Sequence, residues 1–314
     1  MRNILFLGGT GFLGKNILSY FKLNMPQTQD AAIHFIVTGR SYEHDFPVET
    51  VPASYYAFDF SDKISLRLLF EKYDISEVFH FVSATVPSNS NNNIAHDIEV
   101  NLLGTVSLLE LMTEYGVKKI TYLSSGGAIY GDSVTGGSQE DDFNNPNNSY
   151  GIVKLTIEKY ISLFYKLYGI EYLILRLSNP FGAYHVNSKN GIINIAIRKG
   201  ILKEPVVVWG DGLNTKDYIY APDFARIFWE LRFMKVKNQI LNIGSGNLYS
   251  VIDLLENIKK IIPDLTWTFE AAKSFDTQKV EFSLDSLKKI MPVENTDFLT
   301  ALKNTWEWEK TQMR

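Results

Sequence analysis

The chain has 314 residues, 45% of them hydrophobic and 21% charged, enough for one large domain or two joined ones around a substantial core. A net charge of −4 offers no broad positive field, so neither nucleic acid nor an anionic membrane is expected as a partner. With no cysteine, disulfides and thiolate metal sites are excluded.

Met1-Arg2-Asn3 followed by Ile-Leu-Phe-Leu looks superficially like a leader, yet glycines interrupt the apolar run after four residues. Asn3–Leu7 is therefore read as a first buried strand. Further strands are expected at Ala32–Thr38, Tyr55–Phe58, Val78–Val82 and Lys119–Ser124, all rich in Val, Ile, Phe and Tyr. Helical periodicity separates them, at Phe12–Leu23, Lys63–Tyr73, Ile98–Tyr115 and Tyr150–Tyr168. Strands that alternate with helices predict an α/β fold, a doubly wound parallel (Rossmann) sheet that binds ligands beyond its carboxyl ends.

Beyond about Arg176 the pattern loosens. A helix at Ile192–Ile201 is followed by short strands near Val206–Trp209 and Tyr218–Tyr220. Helices follow at Pro222–Phe233, Ser250–Ile261, Leu284–Ile290 and Thr296–Glu307. The predicted division is a dinucleotide-binding domain at 1–175 and a smaller C-terminal α/β substrate lobe at 176–314. One strand, Ile240–Ile243, is expected to return to the main sheet. The Asn-rich tracts Ser88–Asn93 and Asp141–Asn148 read as loops near the site. No apolar run reaches the roughly 20 residues that span a bilayer, and a cytoplasmic location is expected.

Gly8-x-x-Gly11-x-x-Gly14 ends the first strand and opens the first helix. Glycines there permit a tight turn and close approach of backbone to phosphate, at the positive end of a helix. The second strand ends without the acid that would bind an adenosine ribose diol. Arg40 stands there, and it would neutralise a 2′-phosphate, which favours NADP over NAD; a solvated loop arginine is the bland alternative. Asp59 is a candidate acceptor for the adenine amino group or a helix cap. Tyr150 and Lys154 fall one turn apart on one helix face. A free tyrosine ionises near pH 10, so a neighbouring ammonium and a positive nicotinamide would bring it into working range. His34, His44, His80, His96 and His185 show no ligand spacing, so no catalytic metal is expected, and His80 reads as a core histidine.

These motifs resemble the extended short-chain dehydrogenase/reductase superfamily, in its NAD(P)-dependent epimerase/dehydratase branch. Further landmarks are Asn101-Leu-Leu-Gly-Thr105, Ser124-Ser-Gly-Gly-Ala-Ile-Tyr-Gly131, Arg176-Leu-Ser-Asn-Pro-Phe-Gly182 and Trp209-Gly-Asp through Tyr220. The resemblance implies NAD(P) held by Gly8, Thr10, Gly11, Phe12, Leu13 and Gly14, with Arg40, Asp59 and Phe60 at its adenosine end. Phe81, Val82, Ser83, Asn101, Ser124 and Pro180 would line the rest. Tyr150 would be the acid/base, and Lys154 would also hold the nicotinamide ribose. A nucleotide-activated sugar would lie between the lobes, with Asn179 in contact. A homodimer through the 98–115 and 150–168 helices is implied as well.

Three positions depart from the family. The Ser or Thr that usually bonds the reacting sugar oxygen is Gly126, leaving Ser125, Thr85 or a water to supply the hydroxyl. The arginine that grips the nucleotide phosphates is Lys216, which keeps the charge without the fork. A second phosphate-binding arginine is replaced by Lys273, with Asp276 following. The Asp-Glu pair of sugar 4,6-dehydratases is Gly127-Ala128, which rules out that chemistry. What remains is a 4-epimerase of surface-polysaccharide pathways, an NADPH-dependent 4-ketoreductase of a keto-deoxy sugar, or a non-catalytic NAD(P)-sensing relative.

Overall fold

From Ile4 to Leu7 every side chain of the first strand is buried, as in a strand covered on both faces. The computed structural model describes residues 2–24, 33–40, 51–131, 137–187, 190–271 and 279–313. In chain order, β1 (Arg2–Leu7) leads to α1 (Phe12–Asn24), β2 (Ile33–Gly39), β3 (Ala53–Ala57), α2 (Lys63–Lys72) and β4 (Ile75–His80). A short α3 (Ile94–Asp97) passes through a π-turn at Ile98–Leu103 into α4 (Gly104–Glu114). Next come β5 (Lys119–Ser125), α5 (Gly126–Ile129), α6 (Ser149–Tyr168) and β6 (Glu171–Leu177). The later chain forms β7 (Asn179–Phe181), α7 (Ile192–Leu202), β8 (Val206–Trp209), β9 (Thr215–Tyr220), α8 (Ala221–Phe233) and β10 (Gln239–Ile243). It closes with β11 (Leu248–Ser250), α9 (Val251–Lys259), β12 (Trp267–Glu270), β13 (Lys279–Val280), α10 (Asp285–Ile290) and α11 (Phe298–Gln312).

The chain divides into two compact units. The first holds residues 1–129, 144–176 and 225–241. Its seven-stranded sheet runs β10-β6-β5-β4-β1-β2-β3, so the doubly wound α/β expectation holds. β1 pairs parallel with β2 and β4, β2 with β3, and β4 with β5. The order reverses at β1, and in such sheets ligands bind at the reversal, beyond the carboxyl ends of the strands. Leu5, Leu7 and Ile36 pack with Leu108, Met112, Ile157 and Ile161 of α4 and α6. On an aromatic side, Phe79 meets Phe6 and Phe228 edge-on, and Trp229 Nε1 donates to Ile17 O at 3.0 Å.

The second unit holds residues 130–143, 177–224 and 242–314. β9 lies between β11 and β13 with β7 also paired to it, and β12 pairs with β8. Phe181, Ile193, Ile197, Val208, Leu255 and Leu302 build its core. Among the described residues no helix is long and apolar enough to cross a membrane.

Two differences from the sequence expectations have physical causes. The segment just before the pattern loosens, where no strand is expected, is a buried strand, β6, and Arg176 inside it is matched by the buried Glu158. The helix expected to begin at Ile98 begins earlier, and Ile98 opens a π-turn instead. The short strands β7, β11 and β13, of three, three and two residues, lie below what alternation can show.

Candidate active site

β1 ends against a turn with no room for side chains. Gly8 has φ +80°, and a Cβ there would sit 3.0 Å from both Phe81 C and Val82 N. Gly11 N donates to Gly8 O at 3.0 Å, and α1 starts at Phe12 with no acid in its first turn. A Cβ on Gly14 would collide with the Gly9 backbone, so the helix packs hard onto the turn that precedes it. Free N–H groups and the positive helix end suit a pyrophosphate, so the residues present fit a dinucleotide. Phe12 and Leu13 are half-buried, and Thr10 touches Gly39 at the end of β2.

The adenosine-side residues are mixed. Arg40 is exposed immediately after β2. Asp59 Oδ1 accepts from Ser61 N at 2.9 Å and Ser61 Oγ at 2.6 Å, which holds its carboxyl below the usual range, helped slightly by the Arg40 charge. The cap of α2 is Asp62, not Asp59. The Phe60 ring is buried against His80 and crowds Gly104, and the Phe81 ring packs edge-on to Phe6 and Phe228. Val82 is half-buried and Ser83 Oγ donates to Thr85 O at 2.9 Å.

Tyr150 lies in the first turn of α6, which the Asn148 side chain caps by accepting from Gly151 N. Gly151 allows α6 to approach the Ala128 carbonyl more closely than any side chain would permit. That approach carries Tyr150 to the end of β5, beside the Ser125 side chain, which eases the ionisation of its hydroxyl. Lys154 Nζ lies 5.6 Å from the Tyr150 ring centre and 4.8 Å from that of Tyr122, and donates to Leu123 O at 2.8 Å.

The protonation states differ from the sequence expectation. Burial pushes Tyr150 up to about 12, against the pull of Ser125 and with the push of the Asp97 charge. Burial likewise brings Lys154 down to about 8, opposed by Glu158 and Asp97. In the protein alone, desolvation therefore outweighs any help the ammonium gives the phenol. A further positive charge must arrive before phenolate forms readily at neutral pH.

The Lys154 shift also predicts a stability profile. Between about pH 8 and pH 10.5 the unfolded chain holds a proton that the folded chain has lost, so this group's contribution rises with pH across that window. Below it the buried ammonium lowers stability by up to about 3 kcal/mol. Lys154→Met is expected to melt higher than the parent at pH 7, with the gap closing by pH 10. Thermal unfolding at both pH values checks this.

Behind the pair lies a buried polar layer. Ser124 Oγ donates to Glu158 Oε1 at 2.6 Å, and Glu158 Oε2 pairs with Arg176 Nη2 at 2.7 Å. Asn101 Oδ1 accepts from Ala84 N at 2.9 Å while its Nδ2 donates to Asp97 at 2.7 Å. Thr85 Oγ1 also donates to Asp97, so its proton is committed inward, and Ser125 is the hydroxyl that faces Tyr150. Gly126 opens α5, and a Cβ on Gly127 would meet nothing within 4 Å. His80 is a buried core histidine, bonded to Thr105 at 2.8 Å and held down near 3. Sequence reading missed Asp97, Glu158, Ser149 and Tyr122. The spacing of four between Asp97 and Asn101, and between Lys154 and Glu158, was the available signal.

In the second unit, Asn179 Nδ2 donates to Asp217 O at 2.9 Å, and β7 sets Asn179 beside Tyr218 and Pro180 beside Ile219. Lys216 is half-exposed on β9, opposite Tyr249. One face of the Tyr249 ring is already stacked on Phe298 at 4.1 Å. Lys273 and Asp276 lie outside the described residues.

Residues 4–244 match the NAD dependent epimerase/dehydratase family. A Methanocaldococcus jannaschii protein proposed to be a UDP-glucose 4-epimerase is 35% identical over 257 residues, 82% of this chain and 81% of that one. The Escherichia coli dTDP-4-dehydro-6-deoxyglucose reductase is 30% identical over 261 residues, 82% and 80% of the two chains. The UDP-glucose 4-epimerase of Thermotoga maritima, solved with UDP-glucose, superposes with a TM-score of 0.90 over 100% of both chains, at 26% identity. The Thermus thermophilus UDP-glucose 4-epimerase, solved with NAD, shares the fold with a TM-score of 0.87 at 22% identity, over 98% and 99% of the chains.

Proposed function

The chain belongs to the NAD dependent epimerase/dehydratase family, and from that premise we propose that it is a nucleotide-sugar 4-epimerase with Tyr150 as its acid/base. One observation carries the reading: the Tyr150 hydroxyl meets Ser125 while Lys154 lies one turn along the same helix. When bound, NAD(P)⁺ supplies the acceptor and later the donor of the C4 hydride. Tyr150 takes the proton of the C4 hydroxyl and afterwards returns it. Ser125 supplies the hydrogen bond that Gly126 lacks, a contribution of about 0.5–1.5 kcal/mol. Lys154 holds positive charge beside the phenol. Gly127 and Ala128 offer no acid or base, so no water is removed.

We assign Asn179, Lys216, Lys273 and Asp276 to the sugar-nucleotide, the phosphates meeting lysine charges. The relatives named for UDP-glucose support a UDP-sugar. A role in surface-polysaccharide synthesis, a cytoplasmic setting and a homodimer complete the proposal. Exposed Leu103, Ile152, Leu163 and Leu167 on and beside α4 and α6 support the dimer. Native mass spectrometry should find a cofactor retained through gel filtration. UDP-hexose epimers should interconvert without net loss of NADPH. Stoichiometric NADPH consumption on a 4-keto sugar would replace this reading with the reductase.

Arg40 and the 30% identical reductase favour that second reading. If Arg40 meets a 2′-phosphate, a charged hydrogen bond of about 1.5–3 kcal/mol is at stake. Arg40→Ala should then weaken NADP(H) binding about 10- to 100-fold and leave NAD(H) nearly unchanged. Equal effects on both cofactors, measured by fluorescence titration, would remove Arg40 from the site.

A further inference from the structure

Asp97 is wholly buried and has no part in the chemistry above. It stands where α3 gives way to the π-turn. Its Oδ1 accepts from Thr85 Oγ1 at 2.7 Å and from Asn101 Nδ2 at 2.7 Å, and its Oδ2 accepts from Ser149 Oγ at 2.6 Å. None of those donors is a cation. The three come from separate stretches: the loop after β4, the π-turn, and the residue immediately before Tyr150. Ser149 is held a second time, because its N–H donates to Asn91 Oδ1 at 2.9 Å.

A charge so deeply buried is costly, and neutral donors alone would be served as well by an amide. Its surroundings explain the carboxylate. Tyr150, Lys154 and Tyr122 all feel its charge, from α6 and β5. Glu158 is a second anion on α6, already paired with Arg176 of β6. His80 of β4 is neutral at working pH. Among the described residues, Asp97 is thus the buried anion near Lys154 that is not engaged with another cation. It also anchors the first turn of α6, where backbone N–H groups have no helical partner and fraying begins.

We propose, resting on the epimerase reading, that Asp97 is a positioning residue: it ties Ser149, and so the turn that carries Tyr150, to Thr85 and Asn101, and it places a buried carboxylate beside the Tyr150–Lys154 pair. Placement of a reacting group matters steeply, since a 1 Å displacement costs about 100-fold in rate.

Two variants separate the tether from the charge. Asp97→Asn keeps an oxygen for Thr85 and Asn101 and turns an amide N–H toward Ser149, whose hydroxyl can accept as well as donate. The geometry survives and the charge goes. Ser149→Ala keeps the charge and cuts the tie. Protein labelled at tyrosine ¹³Cζ and titrated without substrate reports the phenols directly, with Tyr150 assigned by its absence in Tyr150→Phe. In Asp97→Asn the Tyr150 signal should titrate lower by roughly one pH unit, and the rising limb of the pH–rate profile should move with it. Ser149→Ala should lose about tenfold in kcat with an unchanged profile. A parental Tyr150 titration in Asp97→Asn would overturn the charge role, and a parental kcat in Ser149→Ala would overturn the tether. Failure of the parent to turn over any UDP-sugar would sink the functional reading instead, and the phenol titration would still judge Asp97.

Discussion

Tyr150→Phe is expected to lower kcat by about 10²- to 10⁴-fold, the usual contribution of a positioned acid/base, while cofactor retention and melting temperature stay near the parental values. The substitution removes one oxygen and leaves the ring, so its contact with the Lys154 ammonium at 5.6 Å persists. Ser125, the polar neighbour of the hydroxyl, is half-buried, where water can take the place of the phenol oxygen. The rate loss should fall on kcat more than on KM, because the proton is taken in the transition state and not on binding. In the parent, the phenol alone ionises near 12, so activity should climb with pH until a positive neighbour has made the phenolate available. In Tyr150→Phe that dependence should disappear along with the rate. Steady-state kinetics across pH 6–10 on both proteins, with the cofactor measured separately, makes the comparison. Unaltered turnover in the variant would dismiss the tyrosine mechanism, and the absence of turnover in both would favour a sensing protein.

Much of this was legible in the chain itself. Alternation of apolar runs and amphipathic stretches marks the doubly wound sheet through residue 168, because a parallel strand buried on both faces must be apolar along its length. The glycine turn and the Tyr150–Lys154 spacing are local features, and local features survive translation into space. The unread parts depend on partners far away in sequence. Arg176 interrupts an apolar run and looks like a boundary until Glu158, eighteen residues earlier, is found beside it. Thr85 and Ser125 were equal candidates for the missing hydroxyl, and only the meeting of Thr85 with Asp97 separates them. The direction of the Tyr150 shift was also out of reach, since spacing reports the nearby ammonium but not the depth of burial. Asp97 itself stands among exposed neighbours at His96 and Ile98, which hides how deep its side chain lies.

The pair of Arg176 and Glu158 should govern stability more than any other polar contact described above. Their side chains are 1% and 0% exposed, and Arg176 reaches Glu158 with Nη2 at 2.7 Å and with Nε at 3.1 and 3.3 Å. Asn144 accepts a further Nη2 bond at 3.0 Å, and Ser124 donates to Glu158. Breaking such a pair from one side leaves an uncompensated charge in the interior, which costs about 3–5 kcal/mol. Against a total stability of about 5–15 kcal/mol, either Arg176→Ala or Glu158→Gln should lower the urea midpoint markedly. The double replacement Glu158→Leu with Arg176→Met should cost much less than the sum, because no charge is stranded. Glu158 also raises the proton affinity of Lys154, so Glu158→Gln should leave more Lys154 neutral at pH 8 and reduce activity beyond what instability explains. Urea unfolding followed by circular dichroism tests the first point, and kcat at pH 7 and 8.5 on folded protein tests the second. Single variants within about 1 kcal/mol of the parent would mean that water reaches this layer and that the pair is not the internal brace its burial implies.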